Sequence, residues 1–206
     1  MGLLYYTDEY SPDICKQYNK ILKVLYICLL ITFIIGCYNI TCFFVAYNRF
    51  RDYKNLSNYT HEQYLQVRND FCQELFLLED EEMSKDQILS QAKKEVPVKM
   101  YIFINIKPWK KEAIGGAFLA PRVILVDASV DNDHYTIATV HELLHMKIFT
   151  MNERYTQFQT FVTLYESNNK YFHKVALILA LETFDHRYSE DYNCMGNIIE
   201  YMLNRG

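Results

Sequence analysis

The residues with the clearest chemical potential are two histidines four positions apart, in the segment His141-Glu142-Leu143-Leu144-His145. Side chains at positions i and i+4 of a helix lie on one face, about one turn apart. Both imidazoles can therefore bind a single metal ion such as Zn²⁺. Glu142 would lie beside that ion rather than on it, where its carboxylate can take a proton from a zinc-activated water.

The surroundings of this motif favour metal binding over an ordinary structural role. The three residues before it are uncharged, and Leu143, Leu144 and Met146 make its neighbourhood apolar. Two histidines buried on such a helix would be costly without a ligand. A solvated helix face, or two core histidines, is the alternative interpretation.

The motif resembles that of the zincin metallopeptidases, and among them the gluzincins, whose third zinc ligand is a glutamate on a later helix. Residues 152–157 (NERYTQ) are similar to the Asn-Glu-x-x-(Ser/Thr/Ala)-(Asp/Glu) segment of thermolysin-like members, with Gln157 replacing the final acid. The resemblance implies that Glu153 is the third ligand. In the family the final acid of this segment orients one histidine, and the amide oxygen of Gln157 could accept the same bond. The metzincin extension is absent, because Ile148 and Met151 stand where it needs Gly and His.

Two other glutamates, Glu182 and Glu166, are alternatives to Glu153 as the third ligand. A catalytic zinc ion needs three protein ligands and an open position. The interval between His145 and Glu153 is short, so the helix must end near Phe149 and turn within about three residues without a glycine. At least two of the three glutamates must be ordinary surface carboxylates.

The resemblance, which covers about residues 98–166, also implies an edge strand that holds an extended substrate beside the active-site helix. The segment 115–119 occupies that place in the sequence, and its glycines permit close approach. We therefore predict substrate-binding residues at Gly115, Gly116 and Ala117; a simple hairpin turn is the alternative. Candidates for stabilising a reaction oxyanion are Tyr155, His173, His186, Tyr188 and Tyr192.

The elements that must position these residues follow from sequence patterns. Capping boxes at Thr60 and Ser84 predict two helices, the second ending at Pro97. Three β-rich segments predict strands, at 98–106, 115–119 and 122–126. Four later segments predict helices, at about 134–149, 153–166, 169–184 and 190–204. The expected fold class is α+β: a zincin-like domain over 60–206, with a small sheet and a mainly helical C-terminal half.

An uncharged run at residues 24–48 precedes this domain. It is long enough to cross a bilayer, which needs roughly 20 apolar residues in a helix. We predict an N-terminal tail (1–23), one transmembrane helix (24–48) and a linker (49–59). A buried core helix is one alternative. Cleavage and lipidation at Cys37 is another, although the apolar run continues beyond Cys37 and favours an uncleaved anchor.

The orientation of this helix is not decided by its flanking charges, since three lysines precede it and Arg49, Arg51 and Lys54 follow it. We expect the catalytic domain on the extracytoplasmic side. Cys72 and Cys194 could pair in an oxidising compartment or remain buried thiols.

Composition excludes several classes of protein. The 206 residues are 50% hydrophobic and 22% charged, which rules out a disordered polyelectrolyte or a collagen-like repeat. The net charge of −4 provides no basic field for nucleic acid. The sequence predicts a membrane-anchored zinc metallopeptidase that hydrolyses a peptide or protein substrate, with Glu142 as general base. Alternatives are a catalytically inactive zincin-fold membrane protein that binds a partner peptide, and an intramembrane protease, which would need several spans.

Overall fold

The computed structural model describes residues 12–48, 58–79, 81–107, 114–119, 122–185 and 194–205. These residues form an α+β structure. Its helices are α1 (Pro12–Asn48), α2 (His61–Leu77), α3 (Lys85–Glu95), α4 (Asn132–Ile148), α5 (Glu153–Tyr165), α6 (Lys170–Asp185) and α7 (Met195–Leu203). Its strands are β1 (Ile102–Ile106), β2 (Gly115–Phe118) and β3 (Val123–Asp127). The chain divides into two compact units, Met1–Thr41 and Cys42–Gly206.

The described part of the first unit is helical. Helix α1 begins at Pro12, so the predicted tail (1–23) is partly helix; proline suits a first helical position because its missing N–H has no intrahelical partner there. The stretch Gln17–Tyr47 is long and apolar enough to cross a membrane, and none of its most hydrophobic part is buried. This exposure argues against the buried core helix. Most of the predicted linker, at 49–57, lies outside the described residues.

The two predicted capping boxes are confirmed. The Gln63 backbone N–H donates to Thr60 Oγ1, and the Thr60 N–H donates to Gln63 Oε1 at 2.9 Å. Ser84 and Gln87 repeat the arrangement at the start of α3. Local sequence therefore fixes where α2 and α3 begin.

The three strands form one sheet in the order β1-β3-β2, with β1 parallel and β2 antiparallel to β3. The predicted edge position of β2 is confirmed. Strand β1 is shorter than the predicted 98–106, because Met100 adopts a left-handed conformation (φ 49°) that interrupts the extended chain. Arg122, also left-handed (φ 69°), precedes β3 rather than beginning it.

Helix α4 lies at the centre of the second unit, where it packs against both β2 and β3 and against α3, α5 and α6. Its buried residues include Tyr135, Val140, Leu143 and Leu144. This surrounding explains why the sequence of α4 has no continuous charged face. A polar side chain on the buried part of α4 therefore needs a partner in the interior or a position that faces a cleft.

The two cysteines considered for pairing are free thiols in this structure, Cys72 half-buried and Cys194 buried. Burial raises the pKa of Cys194 to about 12. At neutral pH that thiol is therefore protonated and behaves as a small apolar core residue.

Candidate metal centre

Helices α4 and α5 bring three ligand-type atoms together. The Nε2 atoms of His141 and His145 lie 3.0 Å apart, and Glu153 Oε2 lies 2.9 Å from the first and 3.3 Å from the second. Ligand atoms held about 2.0–2.1 Å from one tetrahedral ion lie roughly 3.3 Å from each other. Among the described residues, these three side chains form the one cluster of histidine, cysteine or carboxylate groups with such spacing.

The short interval between His145 and Glu153 is bridged by a left-handed residue. Phe149, the C-cap of α4, has φ 50° and ψ 63°, a conformation that glycine usually supplies at this point. A bulky residue held there costs on the order of 1–3 kcal/mol, and such strain is concentrated at functional sites. Asn152 then starts α5, since its Oδ1 accepts a bond from the Tyr155 N–H at 3.0 Å.

The turn after α4 also fixes the tautomer of His145. Its Nδ1–H donates to the Thr150 carbonyl oxygen at 2.7 Å, in a fully buried environment. A carbonyl accepts hydrogen bonds and cannot donate, so Nδ1 carries the proton and Nε2 presents its lone pair to the cluster.

His141 is oriented by a threonine on α5. Its Nδ1 lies 3.4 Å from Thr160 Oγ1, whose own O–H donates to the Thr156 carbonyl at 2.8 Å. The hydroxyl oxygen is therefore left as an acceptor. Thr160, and not Gln157, is therefore the residue of α5 placed to accept a bond from His141. The rotation of α5 turns Thr156 and Thr160 toward α4, whereas Gln157 lines the cleft.

The C-terminal turn of α1, which belongs to the second unit, is hydrogen-bonded to the turn between α4 and α5. The last carbonyl groups of a helix have no intrahelical partners. Ala46 O accepts a bond from the Met151 N–H at 3.1 Å and another from Thr150 Oγ1 at 3.3 Å. The carbonyl that orients His145 is therefore fastened to a residue 104 positions earlier in the chain.

Glu142 faces the same space but stands apart from the cluster. The residue is only 7% exposed, and none of the described residues forms a hydrogen bond with its carboxylate. Burial raises the pKa of Glu142, and the charges of His141 and His145 oppose part of that rise. A buried carboxylate that no described residue engages in a hydrogen bond is suited to accept a proton or a hydrogen bond from a ligand.

The pKa of the other carboxylate in the site, Glu153, is shifted in the opposite direction to that of Glu142. Burial alone would raise the pKa of Glu153, but its hydrogen bonds to His141 and His145 hold that pKa far below the usual range. Burial would lower the pKa of His145, but the bond and charge of Glu153 raise it. Glu153 is therefore ionised in the site, as a metal-binding carboxylate must be.

A cleft of about 630 Å³ opens onto these residues. Strand β2 forms one wall, where Gly115, Gly116 and Ala117, the three residues predicted to bind substrate, line the cleft together with the histidine pair. Because β2 is an edge strand, one side of its backbone is unpaired in the described sheet. The cleft therefore contains a backbone edge that could bind an extended chain.

Two polar residues in the cleft wall are not singled out from the sequence: His134 and Thr183. His134 could have been found, because it precedes His141 by seven residues and so lies on the same face of α4, two turns earlier. Thr183 carries no local signal, since α6 reaches the cleft only through tertiary packing.

The alternative third ligands lie elsewhere. Glu182 is in the cleft wall, where its Oε1 lies 3.7 Å from His134 Nε2. Glu166 accepts a bond from the Tyr201 hydroxyl at 2.6 Å and lies 3.7 Å from an Arg205 nitrogen. Of the three glutamates, the structure brings Glu153 to the histidines.

The oxyanion candidates are not gathered at the described site. His173 is engaged by Glu74 at 2.8 Å and by the Tyr165 carbonyl at 2.6 Å. Tyr155 is absent from the described wall of the cleft. His186, Tyr188 and Tyr192 lie outside the described residues.

Comparison with known proteins adds no identification: no family model matches the chain, and neither a curated protein nor a solved structure shows significant similarity to it. The geometry of the site is therefore the basis for assigning a function.

Proposed function

We propose that this protein is a membrane-anchored zinc metallopeptidase of the gluzincin type. The observation that carries the proposal is the convergence of His141 Nε2, His145 Nε2 and Glu153 Oε2, beside the buried carboxylate of Glu142. Three ligands on one side of an open cleft leave room for water and substrate, which distinguishes a catalytic site from a closed structural one.

The donor set favours zinc over the common hard cations. Two imidazole nitrogens and one carboxylate oxygen suit Zn²⁺, whereas Mg²⁺ and Ca²⁺ prefer oxygen ligands throughout. A zinc ion held by these residues would supply Lewis acidity and would lower the pKa of a water ligand to about 7.

The chain's own groups would provide the remaining chemistry. Glu142, whose pKa burial raises, would accept a proton from the attacking water and pass it to the amine that leaves when the peptide bond breaks. The free edge of β2 would hold the substrate backbone in extended form through its N–H and C=O groups. His145 and His141 would be kept in the ligating tautomer by Thr150 and Thr160.

The membrane anchor in this proposal is α1. Its Gln17–Tyr47 stretch is long and apolar enough for a single span near the N-terminus. The proposed location of the catalytic domain is the extracytoplasmic side. Substrates would then be peptides or proteins near the bilayer surface.

The direct test replaces Glu142 by Gln in the full chain and compares zinc content with peptide hydrolysis. Removing a general base costs about 10²–10⁴-fold in rate, while the three ligands are untouched. We expect unchanged zinc and a loss of hydrolysis of that size. Hydrolysis at the wild-type rate by the Glu142→Gln protein would contradict the assigned role.

A different outcome favours the second candidate function. The same cleft and free β2 edge could bind a partner peptide without cleaving it. A wild-type protein that binds zinc and peptides, yet hydrolyses none of a broad peptide library, would favour this catalytically inactive zincin-fold protein.

A further inference from the structure

We propose that the outer face of the sheet docks on bilayers that contain anionic lipids. The pairing register aligns Ile102 with Val123 and Phe118 across the three strands, and Ile104 with Leu125 in the next row. Because side chains alternate along a strand, these five residues share one face, here named the outer sheet face. The opposite face carries Ile124 and Val126, which are completely buried.

The outer sheet face exposes large apolar side chains. Ile102 is 58% exposed, Ile104 41% and Phe118 52%, and Met100 just before β1 is 88% exposed. Contiguous exposed apolar groups of this kind mark interaction surfaces on soluble domains. The surface is distinct from the catalytic cleft, so this proposal does not depend on zinc chemistry.

Positive charge is concentrated in the part of the sequence that contains the three strands. Residues 97–127, which contain all three strands, carry five basic residues and two acids, a net charge of +3. The whole chain has a net charge of −4, so the other residues together carry −7. Lys99, Lys107 and Arg122 are the described basic residues and lie next to β1 and β3 in the chain, whereas Lys110 and Lys111 fall outside the described residues. An apolar surface flanked by basic residues is the combination that binds anionic lipid headgroups.

One end of the face is held in an unusual backbone conformation. Met100 and Arg122 both have positive φ, and the Arg122 Nε–H donates to the Met100 carbonyl at 2.9 Å. Non-glycine residues adopt this conformation infrequently. Its effect here is to hold an exposed methionine beside an arginine, at the edge of the apolar surface.

A bilayer is a better occupant than a second copy of the chain. A two-fold symmetric dimer would place the same surface against itself, and would therefore bring two segments of net charge +3 together. An anionic membrane instead complements that charge. The chain also provides its own access to a bilayer, because α1 contains a stretch able to span one.

The test places a fluorescent reporter on the face of the full-length protein. Trp109 is the single tryptophan, so a Trp109→Phe background allows one new tryptophan at Ile102. The control reporter is Leu65→Trp, at an exposed position on α2, which packs against α6 and α7 and away from the sheet. Both proteins keep the same anchor and are reconstituted in vesicles of brominated phosphatidylcholine, with and without phosphatidylserine.

We expect the lipid bromines to quench the tryptophan at 102 at least about twofold more strongly than that at 65, because docked apolar groups enter the bilayer by about 5–10 Å. The excess quenching at position 102 over position 65 should fall without phosphatidylserine. It should also fall near 1 M salt, where the Debye length is about 3 Å. Lys99→Glu with Lys107→Glu should abolish it, whereas Lys93→Glu with Lys94→Glu, on exposed positions of α3, should not. Folding of each variant is matched beforehand by circular dichroism.

Two results would overturn the proposal. Equal quenching of the two reporters would show that the outer sheet face does not enter the bilayer. A blue-shifted emission at 102 without bromine quenching would show that protein covers the face, either a second copy or another partner.

Discussion

Gly115 on β2 lies directly against the side chain of Glu142 on α4. A Cβ built on Gly115 would be 3.0 Å from Glu142 Oε1 and 3.1 Å from its Cγ, and 3.2 Å from the Leu125 carbonyl oxygen. Strand and helix therefore approach this closely only because residue 115 has no side chain. The position of the proposed general base is set by a glycine of the strand proposed to bind substrate.

Replacing Gly115 by Ala should disturb catalysis without removing zinc. The added methyl group would push the Glu142 carboxylate aside by a few tenths of an ångström, and small misplacements of catalytic groups cost up to about 100-fold. We expect kcat/KM to fall about 10- to 100-fold, with one zinc ion still bound. Gly116→Ala is the matched control, because no atom of the described residues lies within 4 Å of a Cβ there. Equal losses in the two variants would contradict the Gly115–Glu142 relationship.

The two threonines of α5 offer a second matched pair. Thr160→Val removes the hydroxyl that accepts from His141 Nδ1, and loss of such a partner typically weakens metal binding about 10- to 100-fold. Thr156 also bonds a carbonyl one turn back and lies 3.4 Å from His145 Nδ1. His145 already donates to Thr150, so Thr156→Val should change zinc affinity much less. The measurement is the zinc dissociation constant from competition with a chelator; the reverse order of effects would refute this assignment.

The contact with Ala46 predicts a boundary for the stable domain. A chain that starts at residue 49 loses the carbonyl that accepts from Met151 and Thr150, which leaves a buried hydroxyl and a backbone N–H to find new partners. We expect it to lose about 1–3 kcal/mol of unfolding free energy and to bind zinc more weakly. A chain that starts at Cys42 keeps the last turn of α1 and should behave like the full-length protein. The measurement is the free energy of unfolding of the two truncated chains in urea. Equal values would contradict a stabilising role for the Ala46 carbonyl.

Zinc should also stabilise the fold. A ligand that binds the folded state alone, present at about 1,000 times its dissociation constant, adds about 4 kcal/mol. Thermal unfolding of the full-length protein should therefore shift upward on adding zinc and downward with a chelator. His145→Ala, which removes one ligand, should abolish most of the shift. A wild-type melting temperature that does not change when zinc is added would show that the three side chains do not bind zinc in the folded protein.

The sequence allowed a good account of those features that depend on local patterns. Thr60 and Ser84 begin their helices as their capping boxes indicate, and β2 takes its edge position. The i, i+4 spacing of His141 and His145 suffices to place both side chains on one face, because helix geometry alone determines it. The resemblance favours Glu153 over Glu182 and Glu166, and Glu153 is the one whose carboxylate lies beside the two histidines.

Features that depend on distant contacts could not be predicted. Nothing local to Ala46 indicates that its carbonyl accepts bonds from a turn 104 residues later. The left-handed backbone of Met100 and Phe149 runs against residue preference and is imposed by the surrounding packing. Thr160, rather than Gln157, lies beside His141 Nδ1. The sequence could not predict this, because the rotation of α5 about its axis depends on how it packs on α4 and α6.

The most direct test of the account is the zinc content and coordination of the full-length protein, measured by elemental analysis and X-ray absorption. We expect one zinc ion per chain, with two imidazole nitrogens at about 2.0–2.1 Å and one carboxylate oxygen at about 2.0–2.2 Å. We also expect that Glu153→Ala loses the ion, whereas Glu182→Ala and Glu166→Ala keep it. A wild-type protein without zinc, or a Glu153→Ala protein that retains it with unchanged coordination, would contradict the central claim.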